Sequence, residues 1–448
     1  MVPGARLDLS ASPINLIASP DAMQPRSRLE YYVLVVLLGG LTAFGPMSID
    51  MYLPSFPAIR HEFGASALAV QLTVAIYFVG MAIGQMFYGP MADRFGRKRP
   101  LLFGLAVFVT ASIGCAFASS IATLVAWRVL QALGACSGLM VPLAVVRDRF
   151  DARDSIHILS MLILVMGLAP ILAPFVGGQL LVRFGWRSVF WFHAAYGSVA
   201  CAAVIVLLSE SLPSERRRRD SVRQVLAGYA ALARDRTYMA YVFTGGLYMA
   251  GLFAYIAASP YVFIELFHVA PERYGLFFGA NAVGLISASQ VNGWLARRVN
   301  PLSIIRVVLP TGACAGLTLL GLAATGVAGF AGILVPLFIF IACLGFVRPN
   351  TTALAMAPHG RVAGSASALL GTIQFLLGAG SATAAGALTT YGAVALGIVI
   401  AACGCISLLI HHAASNPQPV TRDLLVPPSG RPLGVLDALL ANREEDDR

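Results

Sequence analysis

Twelve stretches of this chain are long and apolar enough to cross a lipid bilayer, whose hydrocarbon core takes about 20 helical residues. They fall at 31–52, 70–90, 100–119, 121–145, 156–183, 187–208, 239–264, 274–295, 303–325, 328–352, 362–388 and 391–411. No compact aqueous fold could bury such runs, because surface-to-volume scaling limits the core that 448 residues can hide. Only 12% of the residues are charged, against about 25% in a soluble domain. A soluble enzyme, a disordered chain and a disulfide-rich secreted domain are excluded. An outer-membrane barrel fits poorly, since its strands alternate apolar and polar positions over segments of about ten residues. The expected fold class is an all-α membrane protein with twelve transmembrane helices in two six-helix bundles.

Six spans, a basic linker and six more spans set the domain organisation. We expect a disordered cytoplasmic leader at 1–30, an N-terminal bundle at 31–208 and a basic cytoplasmic linker at 209–238 that includes Arg216 to Arg219. A C-terminal bundle at 239–411 and a cytoplasmic tail at 412–448 follow. The leader lacks the apolar segment of a cleavable signal, and Met23 is an alternative start. Orientation follows from Lys and Arg, which are enriched in cytoplasmic loops. With the N-terminus inside, 25 of the 31 fall on the cytoplasmic side. Arg60, Arg183, Arg187 and Arg273 fall outside, while Arg128 and Arg348 lie within spans. Both termini are therefore expected in the cytoplasm. The net charge of +10 reflects this orientation and needs no nucleic-acid partner.

No constellation for catalysis is evident. The seven cysteines sit inside apolar runs without the spacing of a metal site or redox pair. No Gly-Lys-Ser/Thr phosphate loop supports ATP-driven transport. We expect no enzyme activity, no metal and no cofactor.

The strongest local signal is Gly89-Pro90-Met91-Ala92-Asp93-Arg94-Phe95-Gly96-Arg97-Lys98-Arg99-Pro100, between spans 2 and 3. Glycines here suit tight turns and close helix approach. Asp93 can pair with Arg97 or face a helix N-terminus, whose dipole favours an anion. A weaker echo, Gly293-Trp294-Leu295-Ala296-Arg297-Arg298, follows span 8 and suggests a duplicated six-helix unit. On these residues the chain resembles the major facilitator superfamily, whose loop between helices 2 and 3 carries G-x-x-x-D-R-x-G-R-K/R. The resemblance implies a gate latch between the bundles at Gly89, Asp93, Arg94, Gly96, Arg97 and Lys98.

Narrower motifs bear on the cargo. Span 5 carries Ala173-Pro174-Phe175-Val176-Gly177-Gly178, which resembles the helix-5 motif of drug antiporters. Ser160, Ala169 and Ala173 stand where glycine is usual there, but all three are small enough for close packing. The same segment also reads as a Pro/Gly kink in any packed helix. The run Asp50-Met51-Tyr52-Leu53-Pro54-Ser55-Phe56-Pro57 resembles the Bcr/CflA group of drug:proton antiporters. That resemblance implies export of bicyclomycin, chloramphenicol-type drugs or related amphipathic compounds, driven by the proton gradient. A proton-coupled carrier of a sugar or other metabolite is the alternative on the same fold.

Asp50 is the one acidic residue placed inside an apolar span and away from loop edges. Intramembrane ionisable groups are costly and mark function by default, so Asp50 is the expected proton site; the other reading is an aspartate at the outer interface. Arg128 in span 4 is the expected counter-charge, holding Asp50 or Gln131, unless it snorkels to the headgroups. Arg348 in span 10 either lines the cavity or reaches the cytoplasmic interface. Tyr77, Gln85, Gln131, Tyr248, Tyr255, Asn281 and Gln374 are expected cavity residues, since rings and amides suit an amphipathic ligand. The expected partners are a small-molecule drug or metabolite, protons and the lipid bilayer, with the protein acting as a monomer in a bacterial inner membrane.

Overall fold

The computed structural model describes residues 28–217 and 222–414. The leader to residue 27, including Met23, lies outside the described residues, as do Arg218 and Arg219 of the linker and the tail from 415. Every described element is helical. The first half comprises α1 (Arg28–Thr42), α2 (Phe44–Asp50), α3 (Phe56–Phe63), α4 (Ala67–Phe95), α5 (Lys98–Ala116), α6 (Ile121–Arg149), α7 (Ala152–Phe184) and α8 (Arg187–Leu207). A linker helix, α9 (Val222–Arg234), follows. The second half comprises α10 (Arg236–Pro260), α11 (Pro271–Leu295), α12 (Pro301–Thr325), α13 (Gly329–Met356), α14 (Ala363–Ala387) and α15 (Ala393–Ala414).

Polar side chains start several of these helices by accepting the first free backbone N–H groups. Ser66, Ser120, Asp151, Asp235 and Asn300 cap α4, α6, α7, α10 and α12. Span 1 is not one rod. It breaks at Ala43 into α1 and α2, with a 41° bend across the break. Pro46 accounts for this, because its ring would clash with the Thr42 carbonyl and it offers no N–H to it. Among the described residues ten helices are long and apolar enough to span a membrane, and the bent pair makes an eleventh. The helix α11 matches them in length at 25 residues but carries Glu272, Arg273, Asn281, Gln290 and Asn292. The linker also differs from a plain loop: α9 buries Tyr229 and Leu232 against α10 and α14.

Successive spans run in opposite directions, so turns fall at two ends. The loop after α4 and the linker lie at one, called here the motif end; the turns around 51–66 and 261–270 lie at the far end. Two helix pairs join the halves, α4 with α14 and α7 with α11. Their seam is built from small residues and rings. Phe78 of α4 packs 4.2 Å from Phe253 of α10, centroid to centroid, and the Thr372 hydroxyl of α14 donates to the Ala82 carbonyl of α4 at 3.2 Å.

Candidate functional site

Asp50 closes α2 and is 3% exposed, so it lies inside the protein and not at a wet interface. The chain then turns through Leu53–Ser55, which packs on α7, α10 and α11 and places the end of span 1 where both halves meet. The Gly177 and Gly178 pair in α7 makes this possible. A side chain at Gly177 would collide with the Met51 backbone, and one at Gly178 would sit 2.8 Å from the Pro271 carbonyl oxygen. Ala173 and Pro174 are buried on the same stretch, and α7 runs through Pro170 and Pro174 without a break.

Arg128 is fully buried in α6, which rules out snorkelling. Of its two expected partners it takes Gln131, donating to Oε1 at 2.7 Å. It also donates to the Ser48 carbonyl at 2.9 Å, and its guanidinium lies 4.7 Å from the Tyr52 ring centroid and 4.3 Å from that of Tyr77. Gln131 in turn donates to Ser112 Oγ at 2.8 Å. No ion pair joins Arg128 to Asp50. The arginine instead holds the carbonyl end of the short helix that carries the aspartate, where free C=O groups and the helix dipole favour a cation. Its link to Asp50 therefore runs through backbone.

The expected cavity residues do not gather on one surface. Tyr77 and Gln131 belong to the Arg128 cluster. Tyr255 stacks on Phe278 at 5.3 Å and accepts a 3.0 Å hydrogen bond from Asn281 Nδ2, both within the second half. Beside them, Ser259 and Tyr274 share a 2.7 Å hydrogen bond. Gln85 lies at the seam, its amide 2.9 Å from where a side chain on Gly371 would begin, and Gln374 is buried nearby in α14. Tyr248 departs from expectation. It stacks on Phe340 at 4.4 Å and donates to the Phe340 carbonyl at 3.2 Å, inside the packed core of α10 and α13.

At the motif end Arg97 organises the loop. It donates to Asp93 at 2.6 Å and to Asp148 at 2.8 Å. Burial works against its charge, yet the Asp148 and Asp93 carboxylates hold its pKa above the ordinary arginine value. Glu210 accepts from the backbone N–H of Arg97 at 2.7 Å and of Lys98 at 3.3 Å, meeting the free donors that open α5. Lys98 donates to the Ile205 carbonyl at 2.8 Å, in the last turn of α8. Gly96 turns at φ 89°, a backbone region that disfavours side chains, with the Glu210 carboxyl against it. Gly89 is no packing glycine, since nothing lies within 4 Å of where its Cβ would be. Among the described residues the motif's ion pairs and hydrogen bonds fasten α4, α5, α6 and the end of α8 together, and the Asp93 carboxylate also acts on Tyr229 of α9, the helix that packs on α10 and α14. Arg94 is exposed and lies over Phe95.

A bridge does exist at the far end. Arg60 of α3 pairs with Glu265 of the turn after α10. Beneath an open recess of about 430 Å³ that also touches Pro57, His61, Gly64 and Ala65, it ties the halves directly. Sequence reasoning missed this pair, as it missed Asp148 and Glu210. Asp148 lies in Arg147-Asp148-Arg149, an acid inside a basic run, which was the available signal. Glu265 and Arg60 are 205 residues apart and carried none. Among the described residues no group of three His, Cys, Asp or Glu could hold a metal ion.

Comparison with known proteins agrees with this architecture. The Major Facilitator Superfamily profile matches residues 38–383. The chain is 37% identical over 352 residues to "Uncharacterized MFS-type transporter YdgK" of Bacillus subtilis, covering 78% of this chain and 87% of that one. It is 28% identical to "Bicyclomycin resistance protein homolog" of Haemophilus influenzae, over 85% and 96% of the two chains. Among solved structures, a D-xylose-proton symporter superposes with a TM-score of 0.66 at 16% identity, over 85% of this chain and 97% of that one.

Proposed function

Because this chain belongs to the Major Facilitator Superfamily, we propose that it exports small amphipathic drugs, of the bicyclomycin or chloramphenicol type, in exchange for protons. It does so by alternating access, as a monomer, in a bacterial inner membrane with both termini in the cytoplasm. The observation that carries this reading is Asp50, a carboxylate buried where the end of span 1 meets both halves. Intramembrane carboxylates in such positions mark proton pathways. The relative named for bicyclomycin resistance supports the drug cargo.

Asp50 takes a proton when the far end is open and gives it up on the cytoplasmic side. Its charge state acts on the terminal carbonyls of α2, and Arg128 holds one of them, at Ser48. Neutralising the aspartate shifts the balance of charge at that helix end, and the shift reaches Tyr52, Tyr77 and Gln131 through the guanidinium. The closely packed Gly177 and Gly178 let α7 rock against span 1 and α11.

In everted vesicles holding an imposed pH gradient, chloramphenicol is expected to release protons. Asp50→Asn should abolish that release while the protein still inserts. Undiminished release in Asp50→Asn removes Asp50 from coupling. A proton-coupled carrier of a sugar or other metabolite is a second reading, kept by Ser160, Ala169 and Ala173 in the helix-5 positions. Counterflow of a labelled metabolite separates the two.

A further inference from the structure

Arg348 lies within α13, eight residues before its motif end at Met356, or about 12 Å along the axis. Residues at intervals of four, seven and eleven share one face of a helix. On Arg348's face these are Leu337, Ile341, Leu344 and Ala355, all at most 1% exposed, together with the half-buried Thr352. That face is turned into the protein, whereas Val335 and Ile339, on the other side, are exposed. Yet Arg348 itself is accessible to solvent. An accessible residue on an inward face lines an internal recess and not the lipid.

Among the described residues its charge has no answer. Arg348 takes part in no ion pair, side-chain hydrogen bond or ring contact among the described residues. The sequence explains why. The spans of the second half, α10 to α15, contain a single carboxylate, Glu272, in the first turn of α11 at the far end. Across the seam, Asp148 is taken by Arg97. An isolated cation inside a membrane protein is costly unless something pairs with it. Guanidinium is the side chain whose planar fork matches a carboxylate with two parallel hydrogen bonds.

We propose that Arg348 is an anion-binding subsite within the transport path, and that the cargo includes amphipathic organic acids whose carboxylate it grips. This rests on the exporter reading above and narrows its substrate class. Drugs without a charge can use the apolar and aromatic walls; an acid gains the Arg348 contact as well.

The test is equilibrium binding of nalidixic acid and its methyl ester to the purified full-length protein, a pair differing in the one negative charge. Wild type is expected to prefer the acid at least tenfold. Arg348→Gln should bring the preference to within twofold of unity, and Arg348→Lys should restore part of it, as a cation without the fork would. A wild type with no preference for the acid overturns the proposal, and so does an Arg348→Gln variant that keeps the preference. Chloramphenicol-driven proton release by wild-type vesicles is read in parallel. If that release is present while the acid preference is absent, the subsite alone is wrong; if both are absent, the exporter reading falls with it.

Discussion

Each half of the molecule holds an arginine inside a membrane helix, and the two are opposites. Arg128 in the first half is fully buried and met by two rings, a carbonyl and an amide. Arg348 in the second half is open to solvent and meets no partner among the described residues. The same contrast recurs at the motif end. Arg97 is clasped by Asp93 and Asp148, while in the echo after α11 Arg298 only lies over the Trp294 ring, 4.2 Å from its centroid. Arg128 is held by its contacts although its Nη2 finds no hydrogen-bond partner, whereas Arg348 is held by none among the described residues. In the mechanism proposed above, the first half serves as the coupling scaffold and the second leaves its charge for the cargo.

The sharpest way to break this contrast is to remove each buried-helix arginine in turn. Arg128→Gln loses two desolvated cation–π contacts and its charged hydrogen bonds, a loss on the order of 3 kcal/mol or more. Arg348→Gln breaks no contact among the described residues and removes an unpaired intramembrane charge, so it should leave stability unchanged or raise it. Thermal unfolding in detergent reads both, and equal shifts would erase the distinction. A smaller effect is expected at the motif end. Asp148→Asn weakens a charged hydrogen bond and should cost about 1–2 kcal/mol, whereas Arg298→Gln should cost at most about 0.5–1 kcal/mol, the worth of an exposed cation–π contact. The smallest concerns the bridge between halves. Arg60 and Glu265 are partly exposed, so a double-mutant cycle of Arg60→Gln and Glu265→Gln should return a coupling of only about 0.2–1 kcal/mol. Cross-linked cysteines at the same two positions should nonetheless halt transport, because they forbid the far end from opening.

The sequence exposes the helices well and their contacts unevenly. Twelve apolar runs are readable because lipid demands long continuous segments, and Asp93 and Arg97 are readable as a pair because four residues separate them. The break in span 1 was also present, in Pro46, though the hydropathy of 31–52 masked it. Polar α11 was legible from its length. Contacts made across the fold were not. Arg97 to Asp148 spans 51 residues and Arg97 to Glu210 spans 113, and no local pattern ties such positions together. Tyr248 looked like a cavity residue because an aromatic ring in a span suits a ligand and a core alike. Only packing against Phe340 decides it. Arg348 is the reverse case, since helix periodicity becomes informative there once its neighbours' burial is known.

The seam between the halves has a kinetic consequence. Where α4 meets α14 and α7 meets α11, the surfaces touch through glycines and rings, with the Thr372 hydroxyl across the middle and the Arg60 pair at the rim. Attraction of this kind is brittle, since a gap of about 0.5–1 Å already forfeits a quarter to a half of each contact. Such a joint does not stretch. If the proposed protonation of Asp50 is what releases it, the joint should let go along its length, so turnover should consist of long dwells separated by brief crossings, with few half-open molecules at any instant.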